Sequence, residues 1–482
     1  MGIISIPMAG KVQNSLSRLY HGDLFTTRSN IAFFFLAGLL IRELLAPWTG
    51  HPYDFEVFVR VGYYVSKGIN PYIILKPVKG ISFSPYGNLY SVGYPPLWPM
   101  ICGGMYLLFR SLSFLTSSPF LYYSLLKQPA IIADLLCAFL FIRLIPDQKL
   151  GKKAALFWLF NPLTIIFSSV WGMFDSLAVL LCLISLLLLV RKKAVFSGVS
   201  LGISAALKMI PVIFIPVFSL FSEKKVRFFI ISIVVTLAAA LLPFILFGWN
   251  PTSFFFAISS QAVNARTSPS VGGLTAFSIF NLINMKFPNT FSPQFLVALS
   301  YIWIPAFVIF YIWLLLPFFR KKMSSSIDRS KDLARQQIGS LSLQSVLRYS
   351  IIAALIFLIT RVWISEQYVL YFIALALIDI ALFSPEKKKI FTIMWVLALL
   401  FLIANNTLLI RFLTPVWTHA FYIDLSINNS PFYGKIRYVV TALIATLFYI
   451  AAIKMLILYY RDGKKKPVET DSTPTSMNKM DA

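Results

Sequence analysis

The chain has 482 residues, of which 58% are hydrophobic, 16% aromatic and 13% charged, and its mean hydropathy is +0.77. Soluble globular domains are about half apolar and a quarter charged. The apolar residues here form blocks of roughly 20, the length of a membrane span. The composition therefore indicates an integral membrane protein and excludes a secreted disulfide scaffold, a coiled coil and a disordered chain.

Charge and metal-ligating residues exclude two further classes. The 43 Lys and Arg outnumber the 18 Asp and Glu, for a net charge of +25, but they lie mostly in short loops between apolar blocks, the pattern that orients membrane proteins. No zinc-finger spacing, basic helix or RNA-binding motif accompanies them, so we exclude nucleic acid as a partner. The three Cys lie in apolar stretches and the three His share no ligand spacing, which argues against a His/Cys metal site.

Ten apolar blocks are predicted to cross the membrane. The first lacks a small-residue cleavage site and is expected to be a retained span rather than a signal peptide. Placing the N-terminus in the cytoplasm puts most of the 43 basic residues on that side, as the positive-inside rule requires. The predicted blocks are 31–47, 128–146, 154–170, 174–190, 228–248, 295–319, 349–365, 368–385, 390–410 and 438–460.

The spans divide the chain into five parts. The fold class predicted is an all-α polytopic membrane protein with about 10–13 transmembrane helices, whose first outer loop carries short interfacial helices. The parts are a cytoplasmic N-terminus (1–30), a front transmembrane module (31–319) that includes the outer loop 48–95, a basic cytoplasmic linker (320–348), C-terminal transmembrane helices (349–460) and a disordered cytoplasmic tail (461–482).

Ten crossings that start from a cytoplasmic N-terminus fix the side of the membrane on which each loop lies. Two further apolar segments, 96–116 and 194–221, keep the loops on those sides only if each crosses an even number of times or not at all. Both contain or adjoin prolines, and broken or re-entrant helices require protein or a water-filled cavity to satisfy the freed backbone. We expect both segments to line a cavity; the alternative is that each is a pair of very short spans.

In the first outer loop, apolar residues recur at helical spacing after Pro52 and stop at Gly68-Ile69-Asn70-Pro71, which predicts a short helix over about 55–67. Asp54 opens it, either as an N-cap or as a carboxylate that accepts a proton from a hydroxyl. Glu56 precedes Arg60 by four residues, the spacing of a helical ion pair. Asp54 and Glu56 converge on one site only if the backbone there is extended.

Ionisable residues at membrane level are costly and are functional candidates. Asp175 begins a span and is either a cap or part of an outer polar site. Lys208 lies three residues before Pro211, where it either reaches a lipid headgroup or binds a phosphate. Arg361, near Glu366-Gln367-Tyr368 at the junction of two spans, is an interface anchor or a phosphate ligand.

The order of these motifs resembles the multi-span glycosyltransferases of the GT-C type, and in particular GPI mannosyltransferase I and related polyprenyl-phosphate-mannose-dependent mannosyltransferases. The resemblance covers about residues 30–370. It rests on Asp54-Phe55-Glu56-Val57-Phe58, Gly68-Ile69-Asn70-Pro71-Tyr72, Tyr94-Pro95-Pro96-Leu97, Asn161-Pro162, Gly172-Met173-Phe174-Asp175-Ser176, Lys208-Met209-Ile210-Pro211 and Gln367-Tyr368.

One departure concerns the acidic motif. GPI mannosyltransferase I has an Asp-x-Asp pair here, whereas this chain has Pro52 at the first of those positions and Asp54 at the second. The pair is therefore lost, or replaced by Asp54 with Glu56. Because of this change, the sequence decides neither whether a divalent cation, Mn or Mg, is bound nor which acceptor is used.

The resemblance implies that the front module, 31–319, is catalytic. It implies the transfer of a hexose, with mannose preferred, from a polyprenyl (dolichyl) phosphate. The acceptor is lipid-linked or a glycan and lies on the extracytoplasmic side. The resemblance also implies an inverting displacement with Asp54 as general base. We assign catalysis to Asp54 and Glu56 and the donor phosphate to Lys208, Arg361 and Arg60. The substrate-binding candidates are Asp175, Gln367, Tyr368, Asn70, Tyr72 and Tyr94.

The competing class is a transporter or a flippase for lipids or lipid-linked sugars, without catalytic activity. Such a protein would need paired midplane charges and preferably inverted repeats, and neither is evident. A GT-C enzyme that transfers an oligosaccharide differs only in donor and acceptor. The expected location is the plasma membrane in a prokaryote or the endoplasmic reticulum in a eukaryote, and a small partner subunit is left open.

Overall fold

The computed structural model describes residues 28–90, 92–255, 273–275, 277–287, 290–324, 334–361 and 364–462, and most of these residues are helical. In those ranges the only β pairing is a single antiparallel bridge between Leu75 and Leu89. Five helices there are long and apolar enough to cross a membrane, and a pair of helices bent by 47° adds a sixth; further apolar helices are shorter. The predicted all-α polytopic class is confirmed.

The first half of the chain forms ten helices in the described ranges. Prolines and glycines set several of their limits; Pro162, for example, ends one helix and begins the next, with the Asn161 side chain as N-cap. The helices are α1 (Arg28–Leu45), α2 (Asp54–Ser66), α3 (Leu97–Ser111), α4 (Pro119–Leu144), α5 (Gln148–Phe160), α6 (Pro162–Ile165, continued by a π-helix at Ile166–Trp171), α7 (Asp175–Val190), α8 (Ala194–Leu207), α9 (Phe214–Phe221, preceded by a 3₁₀ turn at Ile210–Ile213) and α10 (Lys225–Phe247).

The second half contains seven further helices that we number, and residues 251–255 are also helical. The predicted linker 320–348 is helical where it is described, since α12 continues to Ser324 and α13 begins at Ala334. Residues 325–333, most of the predicted N-terminus 1–30 and nearly all of the tail 461–482 lie outside the described residues. The helices are α11 (Ser278–Lys286), α12 (Pro293–Ser324), α13 (Ala334–Thr360), α14 (Val369–Leu382, after a 3₁₀ turn at Glu366–Tyr368), α15 (Lys388–Asn405, after a 3₁₀ turn at Pro385–Lys387), α16 (His419–Asn429) and α17 (Tyr433–Asp462).

The helices give the molecule two distinct ends. At one end, here called the loop end, the 46–96 segment meets the start of α4, where the Tyr123 hydroxyl donates to the Ile81 carbonyl at 2.6 Å. At the other end, the basic end, Lys387 joins the final turn of α17 through Asp462 at 2.5 Å. The candidate site residues described below lie at the loop end.

Buried ionic contacts tie the front helices together. Arg42 pairs with Asp134 at 2.9 Å, and the other Asp134 oxygen accepts from Ser176 at 2.6 Å. The sequence suggests a local Arg42–Glu43 pair and offers Asp134 no partner, whereas Arg42 contacts Asp134 across 92 positions of the chain. The Lys127 ammonium donates to the carbonyls of Ala46, Thr49 and Ser169 at 2.5–2.8 Å, which satisfies all three of its protons.

The segment 194–221 folds as two short helices that run in opposite directions. Contacts of Gly202 with Ser232 and Val235 place α8 parallel to α10. The chain breaks at Lys208, which lies beside the start of α7 at the loop end, and α9 then returns to the start of α10, where Ser219 donates to the Lys225 carbonyl at 2.8 Å. The segment therefore contains two short apolar helices on either side of the break at Lys208.

The segment 96–116 forms one helix, α3, that packs along α2. Phe58 of α2 contacts Trp98 at 5.4 Å and Tyr63 contacts Tyr106 at 5.6 Å, so the two helices run parallel. The C-terminal part of α3 reaches the first turn of α4, with Phe109 stacked on Tyr122 at 5.3 Å. Both ends of α3 therefore lie at the loop end, as expected of a helix that does not cross.

The helix predicted over 55–67 is confirmed as α2. The Glu56–Arg60 pair is also confirmed, at 2.6 Å, with both side chains fully buried. Arg60 donates in addition to the carbonyls of Leu75, Tyr86 and Gly87, while the second Glu56 oxygen accepts from the Phe83 amide. Burial raises the pKa of Glu56 in spite of the adjacent guanidinium. The ion pair thus holds the first loop on α2.

Candidate active site

The site begins at the end of α6, where the helix widens into a π-turn and stops. Gly172 adopts a left-handed backbone (φ 87°), and a Cβ there would lie 2.3 Å from the Phe55 ring. Only glycine combines this conformation with so close an approach. The turn brings Trp171 beside the first residues of α2.

Asp54 lies at the first position of α2, one residue after the N-cap position occupied by Tyr53. Its Oδ2 accepts a hydrogen bond of 3.0 Å from the Trp171 indole Nε1. The side chain remains 35% exposed. A carboxylate that is oriented by one donor and still reachable from solvent can accept a proton from a bound hydroxyl.

His51 caps α2. Its Nδ1 accepts from the backbone amides of Tyr53 and Asp54 at 3.2 and 3.0 Å, so Nδ1 carries no proton in this arrangement. The imidazole stacks on Trp171 at 5.0 Å and also contacts Phe412. The capping role that was open for Asp54 is thus filled by His51.

Asp175 and Lys208 form one buried ion pair. The Lys208 ammonium lies 2.6 Å from each Asp175 oxygen, and both side chains are almost completely buried. The ammonium also lies 5.0–5.3 Å from the ring centres of Tyr94, Phe174 and Tyr368, a cation–π geometry. The predicted phosphate ligand Lys208 and the predicted substrate ligand Asp175 therefore neutralise each other here.

Arg361 lies next to this aromatic group. Its guanidinium is 5.5 Å from the Tyr368 ring and 5.2 Å from the Trp303 ring of α12, and the residue is partly exposed. The charges of Arg361, Asp54 and Asp175 all act on the Tyr94 hydroxyl, whose pKa is raised well above its ordinary value chiefly by burial. Five predicted site residues thus share one region: Asp54, Tyr94, Asp175, Arg361 and Tyr368.

Glu366 and Gln367 lie on the short turn before α14 and are both buried. Glu366 accepts from the Asn405 amide at 3.0 Å, and Gln367 accepts from the Ser365 hydroxyl. Burial raises the pKa of Glu366, and the negative charge of Asp54 adds to the effect. Glu366 is therefore a carboxyl close enough to the candidate base to be affected by its charge.

Four predicted site residues have structural partners within the first loop. Glu56 and Arg60 are fully buried against each other. Asn70 accepts from the Tyr72 amide at 2.9 Å in a turn, and the Tyr72 hydroxyl donates to the Tyr94 carbonyl at 2.7 Å. These contacts shape the loop that carries Asp54 and do not extend to the Asp54 carboxylate.

Sequence reasoning missed the contribution of the C-terminal helices. The Phe412 carbonyl accepts from the Gly50 amide at 2.8 Å, and its ring lies 5.4 Å from that of Trp171. Phe421 packs on Tyr86 of the first loop at 4.8 Å. No local pattern after residue 370 resembles a known motif, so the only available signal was the unusual set of charges at 411–437.

The described residues do not assemble a metal site. Nowhere in those ranges do three His, Cys, Asp or Glu side chains come close enough to hold an ion. Asp54, Asp175 and Glu366 each have other hydrogen-bond donors. The described residues therefore offer no ligand set for the Mn or Mg ion that the sequence left open, and the reaction proposed for the site does not use one.

A family comparison agrees with this architecture. Residues 104–328 match the family model of glycosyltransferase family 87, which is slightly less than half of the chain. The matched range contains Trp171, Asp175 and Lys208, whereas Asp54 and Arg361 lie outside it. The match supports a glycosyltransferase with a GT-C-like membrane architecture, the class that the motif order predicted.

Proposed function

We propose that this glycosyltransferase transfers a hexose, with mannose preferred, from a polyprenyl (dolichyl) phosphate to a lipid-linked or glycan acceptor, using Asp54 as general base. The observation that carries the proposal is the partly exposed Asp54 carboxylate, oriented by Trp171 in the region that also contains Arg361 and the Asp175–Lys208 pair. The geometry offers one candidate base and adjacent cationic groups, as a single displacement requires.

In the proposed reaction the acceptor hydroxyl attacks the anomeric carbon of the donor. A bond forms from the acceptor oxygen to this carbon, the bond from the carbon to the phosphate oxygen breaks, and the proton passes to Asp54. The configuration inverts because there is one displacement. Phosphate is a good leaving group, so stabilising its negative charge is the main electrostatic requirement.

Arg361 is our first candidate for the leaving phosphate, since its guanidinium is partly exposed next to the site and can bind phosphate in a bidentate manner. Lys208 gives two of its three protons to Asp175, and the third is left for a phosphate oxygen. We assign Tyr94, Tyr368 and Gln367 to the donor sugar. Glu56, Arg60, Asn70 and Tyr72 support the loop in this proposal.

The lipid chain of the donor is proposed to enter at the break between α8 and α9. Met209 and Val212 are 52% and 38% exposed there, directly after Lys208. The neighbouring helix α10 is apolar, and only 11% of the residues in its most apolar stretch are buried. An exposed apolar surface of this kind suits acyl or prenyl chains, and it leads to the buried ammonium.

The test is transfer from radiolabelled polyprenyl-phosphate-mannose by the purified protein in lipid nanodiscs. Asp54→Asn should abolish transfer, because an amide cannot accept the proton. Asp147→Asn is the matched control: Asp147 is an exposed N-cap of α5, a role that Asn fills equally well. Unchanged transfer by Asp54→Asn would remove the base assignment, and movement of the intact donor across the bilayer of proteoliposomes without transfer would favour a flippase.

A further inference from the structure

A second group of charges lies beside the active site, in the segment 405–437. Arg411 and Arg437 are both 3.5 Å from the carboxylate of Asp424, too long for hydrogen bonds. The Asp424 oxygens already accept from Thr407 and from Asn428. Two guanidinium groups therefore share one carboxylate that also accepts hydrogen bonds from two other residues.

The guanidinium groups themselves are incompletely satisfied. Within the described part of the chain, the buried Arg411 Nε and Arg437 Nη1 have no hydrogen-bond partner. The side chains are nevertheless 19% and 15% exposed, so each has an edge that a ligand can reach. A partly exposed guanidinium that pairs with its carboxylate only at 3.5 Å can also bind an anion with several acceptor oxygens.

The backbone before Arg411 is held in an unusual conformation. Thr407, Leu408 and Leu409 are three consecutive non-glycine residues with φ between 50° and 70°. Residues in this region are strained and are typically retained where a functional geometry depends on them. Here the strained run leads directly to Arg411 and Phe412, and Phe412 packs on His51 and Trp171.

A polar chain connects this group with Glu366, whose carboxyl is close enough to Asp54 to be affected by its charge. Arg437 donates to Asn405, and the Asn405 side chain donates to Glu366 at 3.0 Å. The charges of Arg411 and Asp54 both act on Glu366. The amides of Asn405 and Asn428 give this region a polar lining, in contrast to the aromatic rings around Arg361.

We infer that Arg411 and Arg437 form a phosphate subsite that binds an anionic group of the acceptor next to Asp54. Two guanidinium groups can share the oxygens of one phosphate. The aromatic, lipid-adjacent Arg361 suits the donor phosphate, whereas the amide-lined Arg411 region suits a phosphorylated polyol. This assignment of the two phosphates rests on the proposed function.

The first experiment measures phosphate binding without any transfer reaction. The full chain in neutral-lipid nanodiscs is titrated with inorganic phosphate, and its unfolding temperature is followed. In an Arg361→Gln background a saturable rise should persist, and adding Arg411→Gln should remove most of it. Adding Arg411→Lys, which keeps the charge, should retain part of the rise, and adding Arg110→Gln, at an exposed arginine of α3, should retain all of it. An equal rise with and without Arg411→Gln would overturn the subsite.

The second experiment distinguishes the two sources of phosphate. Arg411→Gln should weaken binding of mannose 6-phosphate by about tenfold or more and leave binding of polyprenyl phosphate unchanged. Arg361→Gln should do the reverse. Weakened binding of polyprenyl phosphate alone in Arg411→Gln would assign the cluster to the donor and overturn the inference. Because both readouts are binding, they are independent of whether Asp54 acts as the base of a transferase.

Discussion

The indole Nε1 of Trp171 donates a hydrogen bond of 3.0 Å to the Asp54 carboxylate across 117 positions of sequence. Trp171 ends a π-helix and Asp54 begins α2, so the bond joins two helix ends that the loop 46–53 brings together. The same carboxylate lies 3.4 Å from His51 Nδ1. The orientation of the carboxylate therefore depends on Trp171, an aromatic residue far from it in the chain.

Trp171→Phe should lower kcat about tenfold, because one hydrogen bond to a charged group is lost while the ring that stacks on His51 is kept. The unfolding temperature should change little. Trp158→Phe is the matched control, since Trp158 is also buried and its indole nitrogen has no hydrogen-bond partner among the described residues. Equal kcat values for the two variants in the radiolabelled transfer assay would contradict an orienting role for Trp171.

Arg60→Lys should destabilise the protein even though it keeps the charge. Arg60 uses its planar group to contact Glu56 and three loop carbonyls, and lysine cannot reproduce this geometry. Arg60→Ala should cost about 3–5 kcal/mol, because it leaves a buried charge unpaired. Thermal unfolding measures both. If Arg60 bound the donor phosphate instead, KM for the donor would rise with little loss of stability.

Asp175 and Lys208 should behave as a unit. Removing either partner leaves the other charge buried, so Asp175→Asn and Lys208→Met should each cost about 3–5 kcal/mol of stability. The double variant should lose less than the sum of the two. Additive losses in thermal unfolding would mean that the 2.6 Å contacts contribute no coupling energy.

These residues show how far sequence reasoning reached. α2 and the Glu56–Arg60 pair were predictable because helical periodicity and i,i+4 spacing are local signals. Asp175 and Lys208 were each identified as costly charges, but their pairing over 33 positions depends on the packing of α7 against α8. Phe412, which lies more than 350 positions from His51, gives no local signal at all. Tertiary contacts of this kind follow only from the arrangement of the helices.

Glu366→Gln should stabilise the protein increasingly as the pH rises. Burial raises the pKa of Glu366 above its ordinary value, so the folded state binds its proton more tightly than the unfolded state does. Folding stability therefore falls as the pH rises above the ordinary carboxyl range. Glutamine keeps an oxygen for the Asn405 amide and has no charge to bury. A difference in unfolding temperature between Glu366→Gln and wild type that is independent of pH would contradict this assignment.

The orientation of the two ends can be tested with single cysteines, because Cys102, Cys137 and Cys182 are all buried. Lys79 is exposed in the first loop and Lys149 is exposed at the basic end. The excess of basic residues at the latter predicts that it faces the cytoplasm. A membrane-impermeant maleimide added from the extracytoplasmic side, as in intact cells, should label only Lys79→Cys. Added from the cytoplasmic side, as in sealed microsomes with that side outward, it should label only Lys149→Cys. The wild-type control should not be labelled from either side, since its three cysteines are buried. The opposite pattern in the two variants would place Asp54 on the cytoplasmic side and contradict the proposed extracytoplasmic acceptor.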